Sequence, residues 1–348
     1  MNLAVFVGLG FEGKLRSKIL PLTAIKEVDK VYIFRREPLV TPLEKAVCIS
    51  PPLKLRGIKI LAELYRIFAY FKLRSKVKID YIIGIYFFPH LFSAWVLSVL
   101  LKTPLISVII ENPNLYKKSL TFKAILKRSF AVAVRGTHSK NIIESLGVDA
   151  GKIIIPHNTY ELKPLKPPQT KEYDLILIGY FDRDKRIDVF IKAVFRLKEK
   201  LSDVRAVIVG DGELYGMMEG LIKALNLEKN ISLVGFKENV EEYLLKSRVL
   251  AITSQTEGMP MVVLEAMSQG VPCVSSEVGD IGDFLEHGKN ALLVEANNVD
   301  NFAQDFYRLL TDDDLYRKFS ASARQTIEKR AAEFKVGYIA EEWTRVLT

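Results

Sequence analysis

Short apolar runs that end in a glycine turn and give way to a helical pattern recur along this chain. Residues 3–7 run into GLGFEGK, residues 174–178 into GYFDRDK, and residues 206–209 into GDGEL. Strand, tight turn and helix is the repeating unit of a doubly wound parallel sheet, whose helices cover both faces. One stretch breaks the rhythm. KPLKPPQTKEY, from Lys163 to Tyr173, has three prolines in eleven residues between two apolar strands. Such a segment is stiff, extended and poor in core residues, so it reads as a linker. The chain therefore divides into an α/β domain over 1–162, a linker over 163–172 and a second α/β domain over 173–330. The 348-residue length suits two domains.

Charge separates the halves further. Residues 1–160 hold 25 Lys/Arg against 10 Asp/Glu, and the remainder holds 25 against 31. A basic half joined to an acidic half points to different partners, with anionic lipid, phosphorylated acceptors and nucleic acid all open to the first. The two cysteines, Cys48 and Cys273, lack metal-ligand spacing and read as small core residues of a reducing compartment. The N-terminal MNLAVFVGLGFEG has no basic leader region and reads as a first strand entering a loop.

Residues 54–78 set eight Lys/Arg against the single acid Glu63, with Leu61, Leu64, Phe68 and Phe71 at helical spacing. Two readings fit. One is a core-packing helix with a solvated basic face. The other is a membrane-surface helix in which apolar burial and attraction to anionic lipid add. Nucleic acid is not expected, because no nucleic-acid-binding motif accompanies the charge. Residues 81–101 carry no Lys, Arg, Asp or Glu over 21 positions, long enough to span a bilayer. Pro89-His90 splits them, and they read as a buried strand, a short loop and a buried helix. His90, at a strand end, is a candidate cleft residue, although a lone histidine there is more often structural.

TEGMPMVVLEAMSQG, from Thr256 to Gly270, places Glu257 on a turn and Glu265 about two turns into the following helix. Gly258 and Pro260 stop regular structure, so the helix opens with unpaired N–H groups that attract anions. Asp182 and Asp184 form a DxD string in a loop that also carries basic residues, and are read as solvated rather than metal-binding.

EGMPMVVLEAMSQGVPCVSS, residues 257–276, resembles the signature of the family-4 glycosyltransferases. These are retaining enzymes of the GT-B fold, with two Rossmann-like domains facing a central cleft. The resemblance implies that Glu257 contacts the transferred sugar as the catalytic carboxylate and that Glu265 contacts the nucleotide ribose. Gly258, Met259 and Pro260 would complete the donor site. Lys185 matches the lysine that binds the donor diphosphate. The partner arginine is replaced by Tyr180, and Arg183 or Arg186 would compensate from the same loop. Gly10 matches the glycine of a first loop facing the donor phosphate. Where the family carries a cleft histidine this chain has Glu111-Asn112, which become acceptor-side candidates beside His90. Residues 331–348 would form a helix packing back on the first domain.

The implied activity is retaining, metal-independent sugar transfer from a UDP- or GDP-type donor, with no other cofactor. The acceptor would be a glycan or lipid-linked molecule of cell-envelope synthesis. The expected location is cytoplasmic, peripheral on the inner membrane face through residues 54–78. Rival readings are an epimerase or hydrolase on the same fold, and a non-catalytic sugar- or lipid-binding subunit, to which Tyr180 and the absent histidine lend weight.

Overall fold

The computed structural model describes residues 1–8, 12–167 and 169–348, with Lys14 by its backbone alone. It forms two compact units, Met1–Glu161 with Ala332–Thr348, and Leu162–Ala331.

The first unit is built on β1 (Asn2–Phe6), β2 (Lys30–Phe34), β3 (Ala46–Ile49), β4 (Tyr81–Ile85), β5 (Leu105–Val108), β6 (Ala131–Ala133) and β7 (Ile153–Ile154), in the order β3-β2-β1-β4-β5-β6-β7. The second is built on β8 (Tyr173–Ile178), β9 (Ala206–Val209), β10 (Ile231–Leu233), β11 (Ser247–Ile252), β12 (Cys273–Ser276) and β13 (Ala291–Val294), in the order β10-β9-β8-β11-β12-β13. The strand pairings are parallel in both sheets. Strand order reverses between β1 and β4 and again between β8 and β11. Those reversals open crevices at the carboxyl ends of the strands, where α/β sheets bind ligands.

Both faces of each sheet are covered, so the central strands are largely apolar. Leu3, Val5 and Val7 point to one face and pack with Ile339 and Trp343 of the helix Val336–Leu347. Ala4 and Phe6 point to the other, with Phe34 and Tyr70. Phe6 stacks on Phe34 with ring centroids 4.8 Å apart. Burying a side chain of this kind contributes about 1.5–3 kcal/mol before ordering entropy is charged against it. In the second unit Phe190, Phe302 and Phe306 fill the corresponding core. Cys273 is a buried core residue and Cys48 only half-buried, and neither forms a disulfide.

Residues 81–101 form β4, a tight irregular turn and the helix Phe92–Leu101, as the splitting proline implied. Among the described residues, no helix is long and apolar enough to cross a membrane.

The basic segment packs on the core, but not through its apolar stripe. Its helix, Lys59–Arg74, buries Ala62, Arg66 and Tyr70. The apolar stripe faces outwards instead, with Leu64 57% and Phe68 64% exposed and Leu61 and Phe71 also open. Helical spacing identified the stripe but could not say which face the sheet would take.

The proline-rich stretch lies across the second unit. Lys163 and Lys166 pair with Glu241, Gln269 bonds the backbone of Pro164 and Lys166, and Lys171 donates to the carbonyls of Leu245 and Ser247.

Candidate functional site

The second unit assembles its site where β8 and β11 separate. The loop after β8 is shaped by Asp182, whose Oδ1 accepts the backbone N–H groups of Asp184 at 2.9 Å and Lys185 at 3.0 Å. Asp184 in turn accepts from the Gln255 side chain at 3.1 Å. Thr253, following β11, donates to the carbonyls of Lys185 and Arg186. The two loops are thus stitched together, and both acids of the DxD string serve loop geometry. Among the described residues no group of three His, Cys, Asp or Glu side chains could hold a metal ion.

That stitching brings Lys185 and Glu257 together. Lys185 Nζ lies 2.5 Å from Glu257 Oε1, which also accepts from Ser254 Oγ at 2.7 Å. Glu257 is nearly buried while Lys185 keeps about a quarter of its side chain open. Gly279, with φ +57°, passes so close that a Cβ there would sit 1.8 Å from the Glu257 carbonyl oxygen. Gly210 plays a similar part beneath the first loop, where a Cβ would meet the Gly179 carbonyl at 1.8 Å. Sequence reasoning missed Ser254 and Gly279. Their signals were a serine three residues before the glutamate and a glycine just past the next strand.

Beyond Glu257 the chain turns through Gly258, Met259 and Pro260 into the helix Met261–Ser268. Pro260 caps the helix with no side-chain hydrogen bond. The N–H groups of Gly258 and Met259 have no protein acceptor among the described residues. Glu265 is half-buried on that helix, and its carboxylate makes no hydrogen bond among the described residues. Burial pushes its pKa up; Lys163 pulls it down and Glu241 pushes it up again.

Of the basic residues near Tyr180, Arg186 is held by Asp188 at 2.9 and 3.1 Å and by Asn297. Arg183 is exposed, without such a partner among the described residues, so it is the one able to turn towards a ligand. Tyr180 is half exposed. Arg183 and Arg186 rim a cavity of about 520 Å³ floored by Ile187, Met217, Met218 and Leu221. Lys185, Glu257 and Glu265 do not line it.

The first unit places its candidates at the carboxyl ends of β4 and β5. Glu111 is half-buried, accepts from Tyr116 Oη at 3.3 Å, and has its pKa raised by burial. Tyr86 stands near it, pushed up to about 12 by burial and by the Glu111 charge. Asn112 is committed to its own backbone, accepting the Asn114 N–H at 3.0 Å. His90 lies in a different setting, against Gly8 and the buried Arg66, which sequence reasoning had left in a basic face. Gly10 lies outside the described residues.

Comparison with known proteins fits this geometry. Residues 160–326 match the family described as glycosyl transferases group 1. An N-acetyl-alpha-D-glucosaminyl L-malate synthase of Bacillus anthracis is 30% identical over 162 residues, 47% of this chain and 42% of that protein. A Campylobacter jejuni GalNAc-alpha-(1->4)-GalNAc-alpha-(1->3)-diNAcBac-PP-undecaprenol alpha-1,4-N-acetyl-D-galactosaminyltransferase is 27% identical over 254 residues, 71% of this chain and 68% of that protein. The chain spans about half the length of several of the curated relatives it matches. Anabaena HepE, solved in complex with UDP-glucose, superimposes with a TM-score of 0.78 at 17% identity, covering 100% of this chain and 99% of that one. Two parallel sheets of seven and six strands with flanking helices make the fold GT-B.

Proposed function

We propose that the chain, whose residues 160–326 match the family described as glycosyl transferases group 1, moves a sugar from a nucleotide-diphosphate donor to a glycan or lipid-linked acceptor. The observation that carries this reading is the Lys185–Glu257 pair beside the unpartnered N–H groups of Gly258 and Met259. A diphosphate offers Lys185 more negative charge than Glu257 does. On donor binding the ammonium turns to the phosphates, where it stabilises the charge that grows as the nucleotide leaves. Glu257, still held by Ser254, is freed to accept from the sugar hydroxyls. Gly258 and Met259 add backbone donors, Glu265 takes the ribose hydroxyls, and Arg183 supplies the cation that Tyr180 does not. The acid–base pair of a glycosidase is not implied, since one carboxylate serves the ribose.

The donor in this reading is of UDP or GDP type, and the HepE complex with UDP-glucose favours UDP. Transfer proceeds with retention and without a metal. The name of the Campylobacter jejuni relative, with its undecaprenol-diphosphate-linked glycan, supports a lipid-linked acceptor of envelope synthesis. The test is incubation with labelled UDP- and GDP-sugars and polyprenyl-phosphate vesicles, with EDTA in one arm and proton NMR of the product linkage. Label transferred with the donor's anomeric configuration in both arms supports the reading. Inversion, loss of transfer in EDTA, or free sugar alone counts against its respective part.

We further propose that the acceptor is met at an anionic membrane surface, on the inner face of the cell membrane, through residues 54–78. Ile58, Ile60, Leu61, Leu64, Phe68 and Phe71 are exposed among Lys54, Lys59, Lys72, Lys76 and Lys78. Apolar insertion and about 1 kcal/mol per basic residue near the surface would add. Flotation with anionic vesicles should succeed for the native protein and fail for the Leu64→Ser, Phe68→Ser double variant. A native protein that stays at the bottom of the gradient rejects the surface.

A further inference from the structure

The first sheet reverses its strand order between β1 and β4, at the position that Lys185 and Glu257 occupy in the second. Gly8 follows β1 and His90 follows β4. The two are packed so closely that a Cβ on Gly8 would lie 1.9 Å from His90 Nε2. On the other side of the ring, Arg66 Nη2 lies 3.1 Å from His90 Nδ1. A guanidinium can only donate, so Nδ1 must accept, and the single ring proton resides on Nε2. A charged imidazole would set two donors against each other.

Arg66 is fixed in turn. Its side chain is buried, forms an ion pair with Glu63, and bonds the carbonyls of Val7 at 3.3 Å and Phe34 at 3.5 Å. Glu63 is held by Ser93 Oγ at 2.7 Å. The charged groups facing the ring are Arg66 and, at 3.9 Å, Glu63, with Arg36 acting on Arg66. Burial and the Arg66 charge push His90 down to about 3, in the direction that the hydrogen-bond geometry demands.

We infer that His90 is a fixed, neutral Nε2–H donor to a ligand oxygen at the first sheet's strand reversal, and that Arg66 is the positioning residue that sets this tautomer. His90 is then no general base, because the one lone pair on its ring faces Arg66. The ligand chemistry is a phosphate oxygen, carried by a nucleotide diphosphate or by a free phosphate group. The identity of that ligand rests on the transferase reading, while the tautomer does not.

The test is long-range proton–nitrogen NMR of the histidine rings in the 15N-labelled full chain from pH 5.5 to 8, with His90 assigned by its loss in His90→Gln. The expected signal is a protonated Nε2 and bare Nδ1, unchanged across the range. An Nδ1–H tautomer, or a titration near 6.5, overturns the inference. Arg66→Lys should preserve the tautomer and Arg66→Met should release the ring to titrate. If Arg66→Met fails to fold, the native protein and Arg66→Lys decide the outcome. Adding UDP, then inorganic phosphate, should move the Nε2–H signal with at least one of them, and His90→Gln should weaken that binding about tenfold. No movement with either overturns the ligand half. A titrating His90 in a protein that binds UDP rejects this inference alone. A fixed Nε2–H that answers to phosphate in a protein that ignores all nucleotides rejects the transferase reading alone.

Discussion

The two strand reversals carry different chemistry on the same topology. In the second sheet Lys185 and Glu257 meet on solvent-reachable loops, joined by a contact that an incoming anion can replace. In the first, His90 is held by Arg66 and Glu63 from a neighbouring helix, in a buried network no ligand can displace. One site is built to exchange partners and the other to hold a proton in place. The difference lies in the cation: Lys185 keeps about a quarter of its side chain open to an incoming anion, whereas Arg66 is buried and costly to unpair.

Four substitutions or titrations would break or sharpen that contrast. The largest effect belongs to Arg66→Ala, which strands the half-buried Glu63 and removes a donor from the Val7 carbonyl. Denaturant unfolding should show a loss of about 3–5 kcal/mol. Next, Lys185→Ala should lower kcat/KM for sugar transfer about 100- to 1,000-fold. Because Lys185 is partly open and Ser254 still donates to Glu257, stability should fall by less than it does for Arg66→Ala.

Third comes pH. His90 binds its proton far more weakly folded than unfolded, so the unfolded chain takes up protons first as pH falls below 6.5. Stability is fully present above that value and drains away towards pH 3, by about 2 kcal/mol between pH 6.5 and 5. His90→Gln should flatten that slope in a stability–pH series. Smallest is Glu265→Gln. Burial raises the folded carboxyl pKa above 4.5, so its ionisation opposes folding increasingly as pH rises through that window, and fully above it. The amide should therefore raise the melting temperature of the ligand-free protein at pH 7 while weakening nucleotide binding.

How much of this the sequence disclosed follows the same division. The strand–turn–helix rhythm foretold two parallel sheets, because both signals are local. Lys185 and Glu257 were legible for a similar reason, each lying in a short string just past a strand. Their loop partners were harder to see: Asp182 was read as solvated, and its carboxylate instead accepts from the loop's own backbone. The first unit's network was illegible. Glu63 and Arg66 share a helix, but Gly8, Phe34 and His90 come from separate parts of the chain, and no spacing announces their meeting with that pair. Arg66 was further disguised by a helix that turns its more apolar stripe away from the sheet.

The central claim is that the second unit's strand reversal is a nucleotide-sugar site. A thermal-shift panel with UDP, GDP and their sugars, run on the native protein, Lys185→Ala and Glu265→Ala, tests it most directly. The expected result is that UDP or GDP stabilises the native protein by a few kcal/mol at saturation and that each substitution weakens the shift. Indifference of the native protein to every nucleotide, or a shift that survives both substitutions, would contradict it.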